Sequence, residues 1–291
     1  VRPQDLSREL FGQRFQNPLL LAAGTAGFGK ELDGVLDLER LGGLVTKAVS
    51  REPREGNAAP RVAEFSGGML NSVGLANPGV VRVREEYLPW IASRLVRARV
   101  LVNVVGFTVE EYGDVVAELD GSPGITAFEL NLSCPNTSAG GMEFGADPAC
   151  VHRIVSLCRA RTRLPLIAKL SPVLPDIGGM ALIARDAGAD GISAVNTMPG
   201  LLFGDNSRSR LGNGHGGVSG PGLLPIGVLA VARIVERVGA TPVIGVGGVR
   251  SADGVRQYLK VGAVLVAVGT GALADPRLPQ RIITDLEQGN G

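Results

Sequence analysis

The sequence predicts a (β/α)8 barrel, the TIM-barrel architecture, on three observations. Eight short apolar runs alternate with helical or loop-plus-helix segments along 291 residues, the pattern of a parallel sheet wrapped by helices. No shift in composition marks a boundary, so residues 1–291 are expected to form a single domain. Residues with chemical side chains, and bare glycines, recur where the apolar runs end, and in a barrel those ends converge on one mouth. A doubly wound sheet is the competing arrangement. It is weakened because no GxGxxG opens the first helical segment.

Taken in order, residues 6 to 16 read as a hairpin turning near Gly12, placed to plug the bottom of the barrel. Pro18 to Ala23 is a continuous apolar run, read as a fully buried strand, and ends in Gly24-Thr25-Ala26-Gly27. Leu32 to Leu41 has helical spacing, and Gly43 to Ala48 reads as the second strand, with Lys47 near its end. Ser50 to Gly79 has little periodicity, and a connection that long is usually functional. A helix is expected over Val80 to Arg97. Strands at Val100–Val105, Ala127–Leu130, Leu166–Leu170, Gly191–Val195, Pro242–Val246 and Ala263–Val268 then alternate with helices near 110–119, 148–161, 179–187, 224–238 and 252–261. A long polar, glycine-rich excursion runs from Gly200 to Gly222.

Composition narrows the function classes. Twenty-nine basic against 28 acidic residues give a net charge of +1, which argues against a nucleic-acid or anionic-membrane footprint. Aromatic content of 4% leaves no base-stacking platform, and no apolar run reaches the ~18 residues of a membrane span. Cys134, Cys150 and Cys158 are an odd number of thiols without a CxxC pair. They fit free thiols in a cytoplasmic protein and cannot hold a four-cysteine iron–sulfur cluster. His152 and His215 are the only histidines, in no metal-binding spacing, so no metal is expected.

The chemistry concentrates at the strand ends. Asn131-Leu132-Ser133-Cys134-Pro135-Asn136 follows the fourth strand, and Pro135 ends that strand and leaves the thiol in a loop. Two carboxamides flank it, offering the donor and acceptor that a pyrimidine dione needs for orientation. The thiol is a candidate base or nucleophile, although cysteine is as readily a small buried hydrophobe. Lys47 and Lys169 are two of only four lysines against 25 arginines, so a compact ammonium at those strand ends suggests a role a guanidinium fork does not fill. Gly24, Asn103, Asn196, Thr197, Gly247, Gly248, Gly269 and Thr270 also lie at strand ends. The glycines after strands seven and eight occupy the usual barrel phosphate site, so a phosphorylated cofactor is expected.

These motifs resemble class 1 dihydroorotate dehydrogenases, almost end to end. NLSCPN is similar to the family's catalytic segment, NSVGLANPG at Asn71–Gly79 to its substrate loop, and GVGGV and VGTG to its flavin-phosphate loops. Glu52–Glu64 and Gly140–Pro148 resemble the heteromeric, NAD-linked branch, class 1B. The resemblance implies oxidation of (S)-dihydroorotate to orotate in pyrimidine biosynthesis, with Cys134 taking the C5 proton and FMN the C6 hydride. It implies a substrate clamp of Lys47, Asn71, Ser72, Val73, Gly74, Leu75, Asn131, Asn136, Asn196 and Thr197. It further implies FMN binding by Ala23, Gly24, Lys47, Ala48, Asn103, Asn131, Lys169, Val195, Gly220, Gly247, Gly248, Gly269 and Thr270. Lys47 would pair with the orotate carboxylate, and Lys169 would sit near the flavin edge that becomes negative on reduction. The expected assembly is a homodimer, with a possible partner subunit carrying FAD and a 2Fe-2S cluster in a heterotetramer, because nothing in this chain resembles an NAD site.

Departures from the family pattern are Ala23, where relatives often have serine, together with Met198-Pro199 and the stretch from Phe203 to His215. His215 reads as a solvated loop residue, and Cys150 and Cys158 as packing residues of a helix. A dihydropyrimidine dehydrogenase is the nearest competing enzyme, but its motif resembles SCPH where this chain has SCPN. A Schiff-base aldolase using Lys169 and a non-catalytic barrel scaffold are the more distant readings.

Overall fold

A computed structural model describes residues 4–133, 135–136, 142–205 and 207–289. Strands Leu19–Leu21 (β1), Gly43–Val45 (β2), Arg99–Val104 (β3), Ala127–Asn131 (β4), Leu166–Leu170 (β5), Gly191–Ala194 (β6), Val243–Val246 (β7) and Leu265–Val268 (β8) pair in parallel and in chain order. β8 closes on β1, completing an eight-stranded barrel.

Alternation along each strand divides two apolar cores. Leu20, Val45, Leu101, Ala127, Ile167, Ile244 and Leu265 pack with one another inside the barrel, while their strand neighbours Leu19, Leu44, Val100, Phe128, Ala168 and Val266 pack in the outer core with the helices. The expected hairpin is Arg8–Leu10 against Gln13–Phe15. It turns at Phe11 and Gly12 with φ of 54° and 68°, the left-handed pair that matches the strand twist of a tight hairpin. That turn delivers Phe15, fully buried, into the inner core as the plug.

The helices begin where local chemistry dictates. Thr108, Asp147, Asp176 and Ser251 each accept a backbone N–H of the first turn through a side-chain oxygen, opening Val109–Leu119, Pro148–Arg159, Ile177–Asp186 and Ala252–Lys260. Leu223–Val238 follows Gly222, and Leu278–Gln288 completes the ring.

Two expectations are corrected. Leu32 to Leu41 is no helix but two short 3-10 turns, Lys30–Leu32 and Leu38–Arg40. Gly34 at φ +79° interrupts the right-handed path between them. The segment expected over Val80 to Arg97 stops at Arg94 and contains a wider, π-helical turn, Val83–Tyr87, between Val80–Arg82 and Leu88–Arg94.

The long connections also contain order that periodicity did not reveal. Val62–Phe65 and Gly68–Asn71 form a hairpin in the loop after β2, while Met198–Gly200 and Gly216–Ser219 come from the loop after β6. Together they make one antiparallel sheet, in the order 198–200, 216–219, 68–71, 62–65. Ala63, Leu70 and Leu211 are its small apolar core. Asn77 fixes the descent to the next helix: its side chain donates to Ser50 Oγ and Leu75 O and accepts from the Ser50 and Gly79 N–H groups, at 2.7–3.2 Å.

Candidate active site

Continuing the strand alternation upward from the apolar barrel interior changes its chemistry. Two residues beyond Leu101, Ala127 and Ile167 come Asn103, Glu129 and Lys169, and the same layer receives Ser193 from β6. All four are buried. Glu129 Oε1 accepts from Asn103 Nδ2 at 2.7 Å and from Lys169 Nζ at 3.4 Å, with the Lys169 and Glu129 side chains only 8% and 2% exposed. A buried pair of this kind is held because each charge would be strongly disfavoured alone. Sequence reading missed Glu129; the available signal was a lone carboxylate in an otherwise apolar strand, Ala127-Phe128-Glu129-Leu130.

Above that layer the expected clamp residues meet. Asn131 ends β4, and Tyr112 Oη donates to its carbonyl at 2.7 Å. Asn131 Oδ1 accepts from Asn196 Nδ2 and from the Ser133 N–H, both at 3.4 Å. Asn196 Oδ1 in turn accepts the Thr197 N–H at 2.8 Å. Thr197 lies directly against Gly217, where a Cβ would stand 2.0 Å from its Oγ1. Gly217 pairs with Asn71 across the antiparallel sheet and accepts from Asn71 Nδ2 at 3.1 Å. Asn71, Thr197, Asn196 and Asn131 therefore form one contact chain through Gly217, although they come from three separate parts of the sequence. Ser72 is held by Asn57 Nδ2, 2.8 Å from its Oγ. Gly74 and Leu75 continue the same loop with φ of 72° and 57°.

Lys47 lies just past β2, partly buried, and its backbone N–H donates to Gly27 O at 2.7 Å. Among the described residues no carboxylate pairs with its ammonium. The neighbouring Ala48 is buried, and Ala23 packs at the rim of the inner core beside the open, left-handed Gly24. Cys134 and the side chain of Asn136 lie outside the described residues. Three buried oxygens meet no partner among the described residues: Asn103 Oδ1, Ser133 Oγ and Ser193 Oγ. Such atoms are costly unless something else satisfies them.

The glycines expected to hold a phosphate are positioned by backbone need. Gly247 and Gly248 follow β7 with φ of 121° and 75°, and a Cβ on Gly248 would stand 2.3 Å from the Leu224 backbone nitrogen at the start of Leu223–Val238. Gly220 has φ of 127° and would meet the Gly68 Cα at 2.7 Å. Val195 is buried, and its N–H donates to Val246 O at 2.9 Å. Gly269 precedes the short helix Thr270–Ala274, whose Thr270 Oγ1 bonds Ser219 Oγ at 2.7 Å and ties β8 to the antiparallel sheet.

A second residue that sequence reading missed pins this loop from below. Tyr258, fully buried, places its Oη 2.9 Å from both Val246 O and Gly247 O. Its ring occupies the space that a side chain at Gly245 would need. Tyr258→Phe should cost about 1–3 kcal/mol in urea unfolding, because the Gly247 carbonyl loses its buried donor.

The remaining titratable candidates fall outside the site. His215 is exposed. Cys158 is buried in the helical core, as expected, and burial pushes its thiol up to about 12. Cys150 donates to Asp147 Oδ2 at 3.2 Å, and burial followed by that hydrogen bond raises its thiol. Alkylation at pH 8 should therefore leave Cys158 unmodified in the folded protein and modify it after unfolding, as read by peptide mass spectrometry. Among the described residues no group of three His, Cys, Asp or Glu side chains gathers, and no helix is long and apolar enough to cross a membrane.

Residues 5–289 match the family model described as dihydroorotate dehydrogenase. The chain is 45% identical over 278 residues to "Dihydroorotate dehydrogenase B (NAD(+)), catalytic subunit" of Desulforudis audaxviator, covering 95% of this chain and 90% of that protein. It is similar to the proteins of that same description from Geotalea uraniireducens, at 42% identity covering 97% of this chain and 92% of the relative, and from Geobacillus kaustophilus, at 42% covering 97% and 89%.

Proposed function

The chain belongs to the dihydroorotate dehydrogenase family, a family of oxidoreductases, and from that premise we propose that it oxidises (S)-dihydroorotate to orotate in pyrimidine biosynthesis. The observation that carries this reading is the contact chain Asn71–Gly217–Thr197–Asn196–Asn131, a continuous row of carboxamide and hydroxyl groups beside the buried polar layer. A planar ring with alternating N–H and C=O groups is what such a row orients.

FMN suits the residues beneath it. Asn103 Oδ1 and Ser193 Oγ are buried oxygens without a partner among the described residues, Lys169 supplies a buried cation, and the positive-φ turns at Gly220, Gly247 and Gly248 carry no side chain, which suits a phosphate held by backbone N–H groups. Ala23, Gly24, Ala48, Val195, Gly269 and Thr270 would complete the binding surface. Bound FMN supplies the hydride acceptor that no amino-acid side chain provides.

The chain's own residues do the rest. Lys47, without a carboxylate partner among the described residues, is free to pair with the substrate carboxylate. Asn71, Asn131, Asn136, Asn196 and Thr197 hold the ring edge in plane, with Ser72, Val73, Gly74 and Leu75 closing one side, so that the C5 proton faces Cys134. Cys134 removes that proton as general base. The Lys169 ammonium, paired with Glu129, offsets negative charge developing across the site.

The relatives' description as an NAD(+) enzyme's catalytic subunit supports a partner subunit and NAD as the electron acceptor, and the proposed partner carries FAD and a 2Fe-2S cluster. A homodimer of barrels, with or without two such partners, is the proposed assembly. The test is anaerobic addition of dihydroorotate to purified protein while following flavin absorbance at about 450 nm. The expected result is bleaching by dihydroorotate and none by dihydrouracil, which lacks the carboxylate. Bleaching by dihydrouracil instead would replace this reading with dihydropyrimidine chemistry, and absence of flavin would overturn it.

A further inference from the structure

We propose that Glu129 is a positioning residue of the cofactor site, holding Lys169 as a fixed cation and Asn103 with its carbonyl oxygen free to accept. The inference rests on the flavin reading above and extends it to a residue one layer below the ring.

Glu129 is buried on β4 between β3 and β5: Asn103 stands directly opposite it on β3, while Lys169 lies two residues beyond Ile167, its register partner on β5, and reaches it through its long side chain. An ionised carboxylate only accepts hydrogen bonds, so the Asn103 amide must turn its NH2 toward Glu129. The 2.7 Å bond from Asn103 Nδ2 is that contact. The amide's other atom, Oδ1, is then fixed in orientation, and it is the one left buried without a partner among the described residues. The same Glu129 oxygen takes the Lys169 ammonium at 3.4 Å. One carboxylate thus sets two different faces toward a ligand: a bare acceptor on one side and a cation on the other. The pyrimidine half of an isoalloxazine needs that combination. It has an N–H to donate, and beside it the N1–C2=O region takes negative charge when an electron pair is added to the ring.

Two roles for Glu129 predict opposite results. As a bystander charge, its only effect would be repulsion of negative charge on the ring, and removing it would stabilise an anionic flavin. As a positioning residue its loss frees Lys169 to swing away, and an anionic flavin would be destabilised. Sulfite separates them without substrate or turnover. Its sulfur lone pair adds to flavin N5, and the negative charge comes to rest on N1–C2=O, so the bleaching titration reads the cation directly.

The experiment is sulfite titration of FMN-loaded wild type, Glu129→Gln, Glu129→Asp and Lys169→Met, with Glu129→Gln also made in the Lys169→Met background. The expected result is sulfite binding weakened at least about tenfold in Glu129→Gln, and by less than about twofold when Lys169 is already methionine, because coupled residues are non-additive. Glu129→Asp keeps the charge but withdraws the oxygen by one methylene, so it should weaken binding as well. It also keeps the test alive if the Gln variant does not fold. Tighter sulfite binding in Glu129→Gln, an unchanged Glu129→Asp, or an equal shift in both Lys169 backgrounds would overturn the proposal. If wild type itself binds no FMN, the flavin reading fails first, and the two failures are told apart by that control.

Discussion

Cys134→Ser should slow bleaching of bound flavin by dihydroorotate by a factor of roughly 10²–10⁴, the usual weight of a general base. A free thiol titrates at about 8.5 and a serine hydroxyl far above any working pH, so the substitution keeps the side chain's shape and removes a group that can be present as its ionised base in the working range. Flavin content and sulfite binding should be unchanged, because the proton acceptor is not part of the cofactor cradle. In the wild type the rate of bleaching should climb toward the alkaline side as the thiol ionises, and in Cys134→Ser that climb should vanish. Stopped-flow absorbance across pH 6–9.5 checks both, the range being chosen to bracket a thiol's roughly 8.5. A serine variant that bleaches at the wild-type rate would remove Cys134 from the chemistry and direct attention to Ser133, whose buried hydroxyl has no partner among the described residues.

The barrel was legible because its strands are continuous apolar runs with few alternatives. Leu166–Leu170 was placed to the residue, and the other seven to within a few residues at an end. The helix that failed, 32–41, did so because Gly34 and the Asp37 cap break the backbone at points hydrophobic spacing cannot register. The antiparallel sheet was invisible for a different reason. Its strands are three or four residues long and include Gly200, Gly216 and Gly217, and its central pairing, 68–71 with 216–219, joins segments more than a hundred residues apart, so no local signal announces the whole sheet. Within the site, Asn131, Asn196, Thr197 and Lys169 were readable as polar residues at strand ends. Glu129 and Tyr258 were not, because their work is done from beneath: one orients side chains from inside the barrel wall, the other pins a loop from an outer helix.

Gly248→Ala should remove most of the flavin. At φ +75° an alanine is strained, by about 1–3 kcal/mol. Its Cβ would also stand 2.3 Å from the backbone nitrogen of Leu224, a contact relieved only by moving the Gly247–Gly248 loop or the start of Leu223–Val238. Overpacking of this sort adds about 1–3 kcal/mol. The loop is held on its other side by Tyr258 Oη at Gly247 O, so the easier movement is outward, into the space proposed for the phosphate. If the relief comes at the expense of that site, the collision alone, at about 1–3 kcal/mol, corresponds to a loss in FMN affinity of roughly 5- to 150-fold, at about 1.4 kcal/mol per factor of ten. Gly239→Ala is the matched control: its φ is +61° and nothing lies within 4 Å of the added Cβ, so it carries the backbone strain without the collision. Gly239→Ala should lower stability by about 1–3 kcal/mol and leave FMN affinity at the wild-type value, measured by quenching of flavin fluorescence on titration of the apoprotein. Equal affinities for the two variants would mean that the Gly247–Gly248 turn is only a fold element, and the phosphate would have to be held elsewhere on the mouth.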